Sequence, residues 1–282
     1  MKDETTTGNS GLTRREVIKT ASLASLAAAM PGGLFAAGAS ERLKVGLIGC
    51  GGRGTGAAMD AINASPDVVI AAMGDVYSDQ LEWSKGRLKE KLAADRVTVT
   101  GETTFTGFDA YEKVVATDVD YVILAAPPFF RPSHIKASVD AGKHIFTEKP
   151  MAVDAPGVRK CMAACEKAKA KNLSVVAGFC WRYGDAERAV FDQINGGAMG
   201  KVLSVHTTYH TGTLQQRPRQ DHWSDMEWQL RNWWHFAWLS GDHIAEQACH
   251  SIDRLAWATG DQTPVRCTAL GGSAARRGAE SV

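Results

Sequence analysis

The sequence predicts an α/β protein, with a doubly wound parallel sheet in its N-terminal part and a second α/β domain behind it. Three observations carry that reading. Short apolar runs alternate with helix-forming segments from Leu43 onward. The runs are near-continuous rather than alternating, as strands covered by helices on both faces require. The first run ends in glycines that lead into a helix. Strand–helix alternation of this kind builds a parallel sheet through crossover connections.

Leu43 to Ile48 is the first strand, and Ala57 to Asn63 is helical. Val68 to Met73 is a second strand, closed by Gly74-Asp75, and Gln80 to Ala94 carries helix formers. Val97 to Thr100 reads as a weak third strand and Asp109 to Ala116 as a short helix. Tyr121 to Ala125 is a strong strand stopped by Pro127-Pro128, which cannot extend a ladder. Ser133 to Ala141 is helical, ended by Gly142, and His144 to Thr147 is the next strand. Helix Ala155 to Ala170 and strand Leu173 to Ala177 follow. After Gly178 the pattern loosens. Ala186 to Ile194 reads as a helix, Val202 to Tyr209 as a strand with partial alternation, Gly212 to Asp225 as a polar loop and His243 to Ala258 as a helix. The domain boundary is placed near Pro150, with a crossover back left open, giving a nucleotide domain over 40–150 and a second domain over 151–282.

Composition narrows the function classes. A net charge of +1 makes no electrostatic case for nucleic acid. With 44% hydrophobic and 22% charged residues the chain has the balance of a soluble globular protein. Residues 1–39 differ. Arg14-Arg15 precede an Ala/Leu/Ser stretch over Ala21 to Met30, and Ala37-x-Ala39 offers a cleavage site. The segment is similar to a twin-arginine signal peptide and too short and small-sided for a stable membrane span. The chain is therefore expected to pass the Tat translocation machinery and to work in the periplasm or otherwise outside the cytoplasm. Six cysteines without a CxxC pair read as buried free thiols rather than a disulfide framework or a zinc site.

Three motifs carry chemistry. Gly49-x-Gly51-x-x-Gly54 stands between a strand and a helix. Its glycines permit a tight turn, a close approach to a pyrophosphate and close helix–strand packing, while the helix N-terminus attracts the anion. Gly52 and Arg53 belong to the same turn. Asp75, at the end of the second strand, is placed to bind a ribose hydroxyl, which favours NAD over NADP. The second motif is Glu148-Lys149-Pro150. At a strand's carboxyl end it faces the crevice where open parallel sheets bind ligands. The Lys149 ammonium can donate to a substrate hydroxyl there. Glu148 can pair with a neighbour, and Pro150 can fix the chain direction through a cis bond. The third motif spans Gly241 to Trp257, with Asp242 read as an N-cap. Glu246 and His250 are four apart and share a face of one helix, so the carboxylate can orient the imidazole as a general base. Two other readings stay open for this pattern: a core histidine, or a metal site from His243, Glu246 and His250, which no further ligand supports.

Together these motifs resemble the Gfo/Idh/MocA family of nicotinamide-dependent sugar oxidoreductases. The resemblance runs from about Leu43 to the end. It rests on the glycine turn, AAPPFFRPSH (125–134), AGKHIFTEKP (141–150), GFCWRY (178–183) and EQACHSID (246–253). It implies a Rossmann domain followed by an α/β domain with an open, mostly antiparallel sheet. It implies that Lys149 and His250 are catalytic, that Arg182 and Tyr183 lie near substrate or cofactor, and that Pro128 and His134 belong to the nicotinamide-side loop. The family commonly has Asp where Glu246 stands, which puts that residue's role in question. The antiparallel sheet needs more strands than the residues after Ala258 supply, so the chain is expected to be a fragment with an incomplete second sheet. Trp223, Trp228, Trp233, Trp234 and Trp238 crowd together, as a sugar-stacking wall, a contact in a homo-oligomer, or core packing; Arg231 among them is a candidate for a substrate oxygen or a cation–π contact.

The expected function is oxidation or reduction of a sugar or cyclic polyol at a CH–OH group, with tightly held NAD (NADP as the alternative) and no metal. The expected catalytic set is Lys149, His250 and Glu246, and the expected substrate contacts are Lys149, Arg182, Tyr183, Arg231, Trp233 and His250. Two alternatives stay open: an NAD-dependent redox-neutral glycosidase using the same residues, and a non-catalytic nucleotide-binding or scaffold protein.

Overall fold

The structure is a computed structural model that describes residues 42–212 and 214–272. The expected signal peptide lies outside the described residues.

Six strands form one sheet: β1 (Leu43–Ile48), β2 (Val68–Asp75), β3 (Thr104–Thr106), β4 (Tyr121–Leu124), β5 (His144–Thr147) and β6 (Val175–Ala177). Their order is β3-β2-β1-β4-β5-β6, and every neighbouring pair is parallel. The order reverses between β1 and β4, the switch point at which open α/β sheets take their ligands. The crossovers are α1 (Gly52–Ala64), α2 (Ser78–Lys91), α3 (Ala110–Val115), α4 (Arg131–Asp140) and α5 (Ala155–Ala170).

Alternation within the strands fills two cores. Val45, Leu47, Ile70 and Ile123 pack on one face with Ala57, Ala58 and Ile62 of α1 and Leu81 and Leu88 of α2. Ile48, Val122, Leu124 and Ile145 pack on the other with Val114, Ile135, Val139 and Ala164. A short Asp154 cap starts α5, its carboxylate accepting the Gly157 N–H at 2.7 Å.

Four expectations are corrected. The third strand is Thr104–Thr106, not Val97 to Thr100; Val97 makes only one isolated bridge, to Ile70. The chain reaches β2 twice, and the longer register falls on the alternating Thr-Phe-Thr run. The boundary near Pro150 falls inside the last crossover, because α5 and β6 complete the first sheet. Val202 to Tyr209 is extended but pairs with no strand among the described residues, so no second sheet is formed there; a strand persists only as part of a ladder. Finally, all six cysteines are free, but only Cys50 and Cys161 are buried, while Cys165, Cys180 and Cys267 are exposed.

Beyond β6 the chain is helical: α6 (Asp185–Asn195), α7 (Asp225–Arg231), α8 (Ala237–Ser240), α9 (Asp242–Glu246) and α10 (Cys249–Ala258). Leu230, Phe236 and Leu239 form a third small core with Tyr77, Phe130, Trp228 and Trp233, which docks the tryptophan-rich stretch onto the sheet domain. Among the described residues no helix is long and apolar enough to cross a membrane.

The glycine turn separates a packing requirement from a binding one. A Cβ on Gly54 would lie 1.9 Å from the Gly49 carbonyl oxygen, whereas one on Gly51 would meet nothing within 4 Å. Gly54→Ala should therefore cost about 2–3 kcal/mol in urea unfolding. Gly51→Ala should leave the unfolding midpoint unchanged and weaken NAD binding, as read by titration.

Candidate active site

The switch point opens into a cavity of about 270 Å³. Its floor is the glycine turn, where Gly49 takes a φ of +94° that a side chain would strain. Gly51 and Gly52 present bare backbone to open space, and α1 starts there with its N–H groups unspent. Asp75, Tyr77, Gln80, Tyr111 and His134 line the walls. These features fit a dinucleotide: a bare anion cradle at a helix N-terminus, and a carboxylate at the next strand's end.

Asp75 does more than face a ribose. Its Oδ2 accepts the Cys50 N–H at 2.7 Å and its Oδ1 the Tyr77 N–H at 2.9 Å, so it also holds the glycine turn in place. Burial pushes its pKa up, and the two N–H donors oppose that. His134 is buried between Tyr111, at 4.3 Å between ring centroids, and Phe130, at 6.0 Å. Burial, then the Arg131 charge, lower its pKa to about 3, so the ring is neutral. Its Nδ1 is buried without a protein hydrogen-bond partner. Pro128, itself buried, opens a 3₁₀ turn, and it is Pro127 and Phe130 that line the cavity.

Arg53 lines the cavity and carries it toward β5, where its Nε donates to the Glu148 carboxylate at 2.5 Å. Arg131, which sequence reasoning passed over, is 3% exposed and donates to the carbonyls of Glu148 and Ala126, tying the ends of β5 and β4 together. The Lys149–Pro150 peptide is cis. Lys149 Nζ then donates to the Glu246 carboxylate at 2.9 Å and to the Glu246 main-chain carbonyl.

That contact overturns the role expected of Glu246. The helix expected over His243 to Ala258 is two helices, broken at Gln247 and Ala248, whose N–H groups both return to the His243 carbonyl. The Glu246 carbonyl leaves the helical ladder for Lys149. Glu246 thus faces Lys149 and not the imidazole, and four-residue spacing no longer means a shared face. Asp242, expected as an N-cap, instead takes a φ of +63° as the first residue of α9.

His250 sits in an aromatic enclosure of Trp181, Tyr209 and Phe179, with centroids at 4.7, 6.2 and 6.1 Å. It is close enough to Lys149 for that charge to bear on it. Burial, then Lys149, lower its pKa, opposed by Asp253, Glu148 and Glu246. The Lys149 charge thus bears on His250, and Glu148, the residue before Lys149, pairs with Arg53 of the nucleotide cavity.

Two expected substrate contacts are occupied elsewhere. Arg182 Nε donates to Asp253 at 2.9 Å and its Nη2 to Asp261 at 2.6 Å, over the Trp257 ring; it clamps its 3₁₀ turn to α10. Arg231 pairs with Asp79 at 2.8 Å and Glu227 at 2.9 Å and lies 4.0 Å from the Tyr77 ring centroid, on the β2 side. Trp233 and Trp234 line the nucleotide cavity rather than the Lys149 region. Tyr183 is 60% exposed. Trp181 and Tyr209 are the aromatics at His250, and only packing across elements reveals them. Among the described residues no group of His, Cys, Asp or Glu is arranged to hold a metal.

Residues 43–179 match the Gfo/Idh/MocA family, described as "Oxidoreductase family, NAD-binding Rossmann fold". This part of the chain is a Gfo/Idh/MocA NAD-binding domain. Inositol 2-dehydrogenase of Burkholderia cenocepacia (strain HI2424) is 28% identical over 222 residues, 78% of this chain and 55% of that protein. The dTDP-3,4-didehydro-2,6-dideoxy-alpha-D-glucose 3-reductase of Actinomadura kijaniata is 25% identical over 64% of this chain and 48% of that protein. The chain thus spans about half the length of these relatives. In structure it is similar to apo scyllo-inositol dehydrogenase from Lactobacillus casei (TM-score 0.56, 21% identity, 78% of this chain and 56% of that one). It is also similar to aldose-aldose oxidoreductase from Caulobacter crescentus (TM-score 0.60, 18% identity, 78% and 58%). The likeness to these structures is one of fold.

The buried neutral His134 makes stability pH-dependent in one direction. Its folded pKa of about 3 lies below the unfolded value, so the unfolded chain binds the extra proton. Stability should be unaffected above about pH 6.5 and should fall steadily as pH drops toward 3, by several kcal/mol at about 1.4 kcal/mol per unit. His134→Gln should flatten that slope in urea titrations run across the acid range.

Proposed function

We propose that the protein is an exported oxidoreductase that moves a hydride between NAD and a CH–OH group of a sugar or cyclic polyol. One observation supports the reading: Glu246 fixes the Lys149 ammonium next to Glu148, which pairs with Arg53 of the dinucleotide cavity, and the Lys149 charge bears on His250. The family match and the inositol and deoxysugar enzymes among the relatives support the substrate class.

Bound nicotinamide supplies the hydride acceptor or donor. The chain's own groups do the rest. Lys149 donates a hydrogen bond to the reacting oxygen and stabilises the negative charge that grows on it. Glu246 keeps the ammonium aimed. His250, held neutral by burial and by Lys149, accepts the hydroxyl proton in the oxidising direction and returns it in the other. Trp181 and Tyr209 offer flat apolar faces to the C–H side of a ring. Cys249 Sγ bonds the Glu246 carbonyl at 3.4 Å, and burial holds its pKa at about 11, so the thiol stays protonated.

The test is NAD reduction by the full chain across a panel of inositols and aldoses, followed by the absorbance of reduced nicotinamide. Lys149→Met should lower kcat about a hundred-fold or more while NAD still binds. No reduction with any polyol or sugar, by protein that binds NAD, would end the assignment. The acid limb of the oxidation rate should lie below about pH 6.5, since a base with a depressed pKa stays neutral to lower pH. In Lys149→Met the His250 titration, followed by NMR, should move up as the repelling cation is lost.

The paired arginines support export of the folded, cofactor-loaded protein. Arg14→Lys with Arg15→Lys should hold the protein in the cytoplasm, as read by cell fractionation.

A further inference from the structure

Three arginines line the nucleotide cavity: Arg53, Arg217 and Arg231. Two are paired. Arg53 meets Glu148 at 2.5 Å and Asp60 at 3.6 Å, and Arg231 meets Asp79 and Glu227. Arg217 has no carboxylate partner among the described residues. A cation left unpaired at a cavity wall is suited to an anion that the cavity takes.

Its main chain is nevertheless held. Asn232, 1% exposed, accepts the Arg217 N–H at 2.7 Å and donates Nδ2–H to the Arg217 carbonyl at 3.2 Å. Its Nδ2 also donates to the Trp228 carbonyl at 3.1 Å. Burying a side-chain amide is unfavourable unless its polar atoms find partners. Here all of them go to fixing residue 217 against the end of α7. The fold thus places a buried polar residue where its main effect is to hold the backbone of a cavity arginine.

We propose that Arg217 binds the bridging phosphates of the dinucleotide, together with the glycine turn at the start of α1. This deepens the reading of the cavity as an NAD site and rests on it. Guanidinium suits the role because its planar donors match phosphate oxygens. A phosphate on the adenosine ribose is the other source of the same chemistry. Asp75, at the ribose end with its carboxylate fixed by two backbone N–H groups, disfavours it. The assignment gives the segment after β6 a direct grip on the cofactor. The same segment, through α8 and α9, leads into Glu246 and His250.

The test is ligand affinity of the full chain, read by calorimetry or by quenching of the cavity tryptophans, with NAD, NADP, ADP and adenosine. Arg217→Ala should weaken NAD and ADP alike by about ten-fold or more, since each loses a charge-assisted hydrogen bond. Adenosine should be unaffected. Arg219→Ala, a nearby surface change paired with Asp225, should alter none of them. Unchanged NAD and ADP affinity in Arg217→Ala, with both proteins unfolding at the same urea concentration, would overturn the proposal. A loss confined to NADP would overturn the assignment to the bridging phosphates. Failure of the unaltered chain to bind NAD at all would instead remove the underlying reading of the cavity.

Discussion

The rest of the site depends on one contact, the pairing of Lys149 with both the carboxylate and the main-chain carbonyl of Glu246. The two side chains are 15% and 12% exposed. An ion pair so nearly buried adds little net stability, but removing one partner strands a charge. Its effect is on shape. With the Glu246 carbonyl out of the helical ladder, α9 ends there and α10 starts afresh at Cys249. His250 then lies among Trp181, Tyr209 and Phe179 instead of on Glu246's face.

The strand ends supply the other half of the framework. Arg131, buried with its charge, links the carbonyls that end β4 and β5 and sits beneath Glu148. Burial depresses its pKa to about 10, which still leaves it charged at neutral pH. Glu148 in turn holds Arg53 at the edge of the nucleotide cavity. The charges run in sequence from the glycine turn to Lys149, so the cofactor and the acid–base groups share one electrostatic setting. A neutral His250 next to a charged Lys149 is a division of labour set by environment, as paired catalytic groups often show.

The tryptophan-rich stretch shows how composition can point to the right feature and the wrong place. Its residues pack on Phe130 and Tyr77 and roof the nucleotide cavity. A large aromatic side chain favours burial wherever the chain brings it near an apolar face. The sequence shows that such residues are grouped, but not which wall they meet. Arg182 and Arg231 make the same point with charge, since each lies beside acids distant in the chain: Asp253 and Asp261 for one, Asp79 for the other.

The sheet domain was legible from the chain alone, because its signals are local. Apolar runs bounded by glycine and proline, a glycine turn before a helix, and Asp75 at the next strand's end each follow from neighbours in sequence. The place of Lys149 just past a strand end was also legible, from the apolar run that precedes it. The fold alone decided what each charge pairs with. Glu246 chose Lys149, Asn232 fixed Arg217, and Val202 to Tyr209 found no ladder partner among the described residues, because hydrogen bonds and ion pairs are set by three-dimensional proximity. Periodicity assigns a residue to a face; the identity of whatever lies opposite that face is a property of the folded chain.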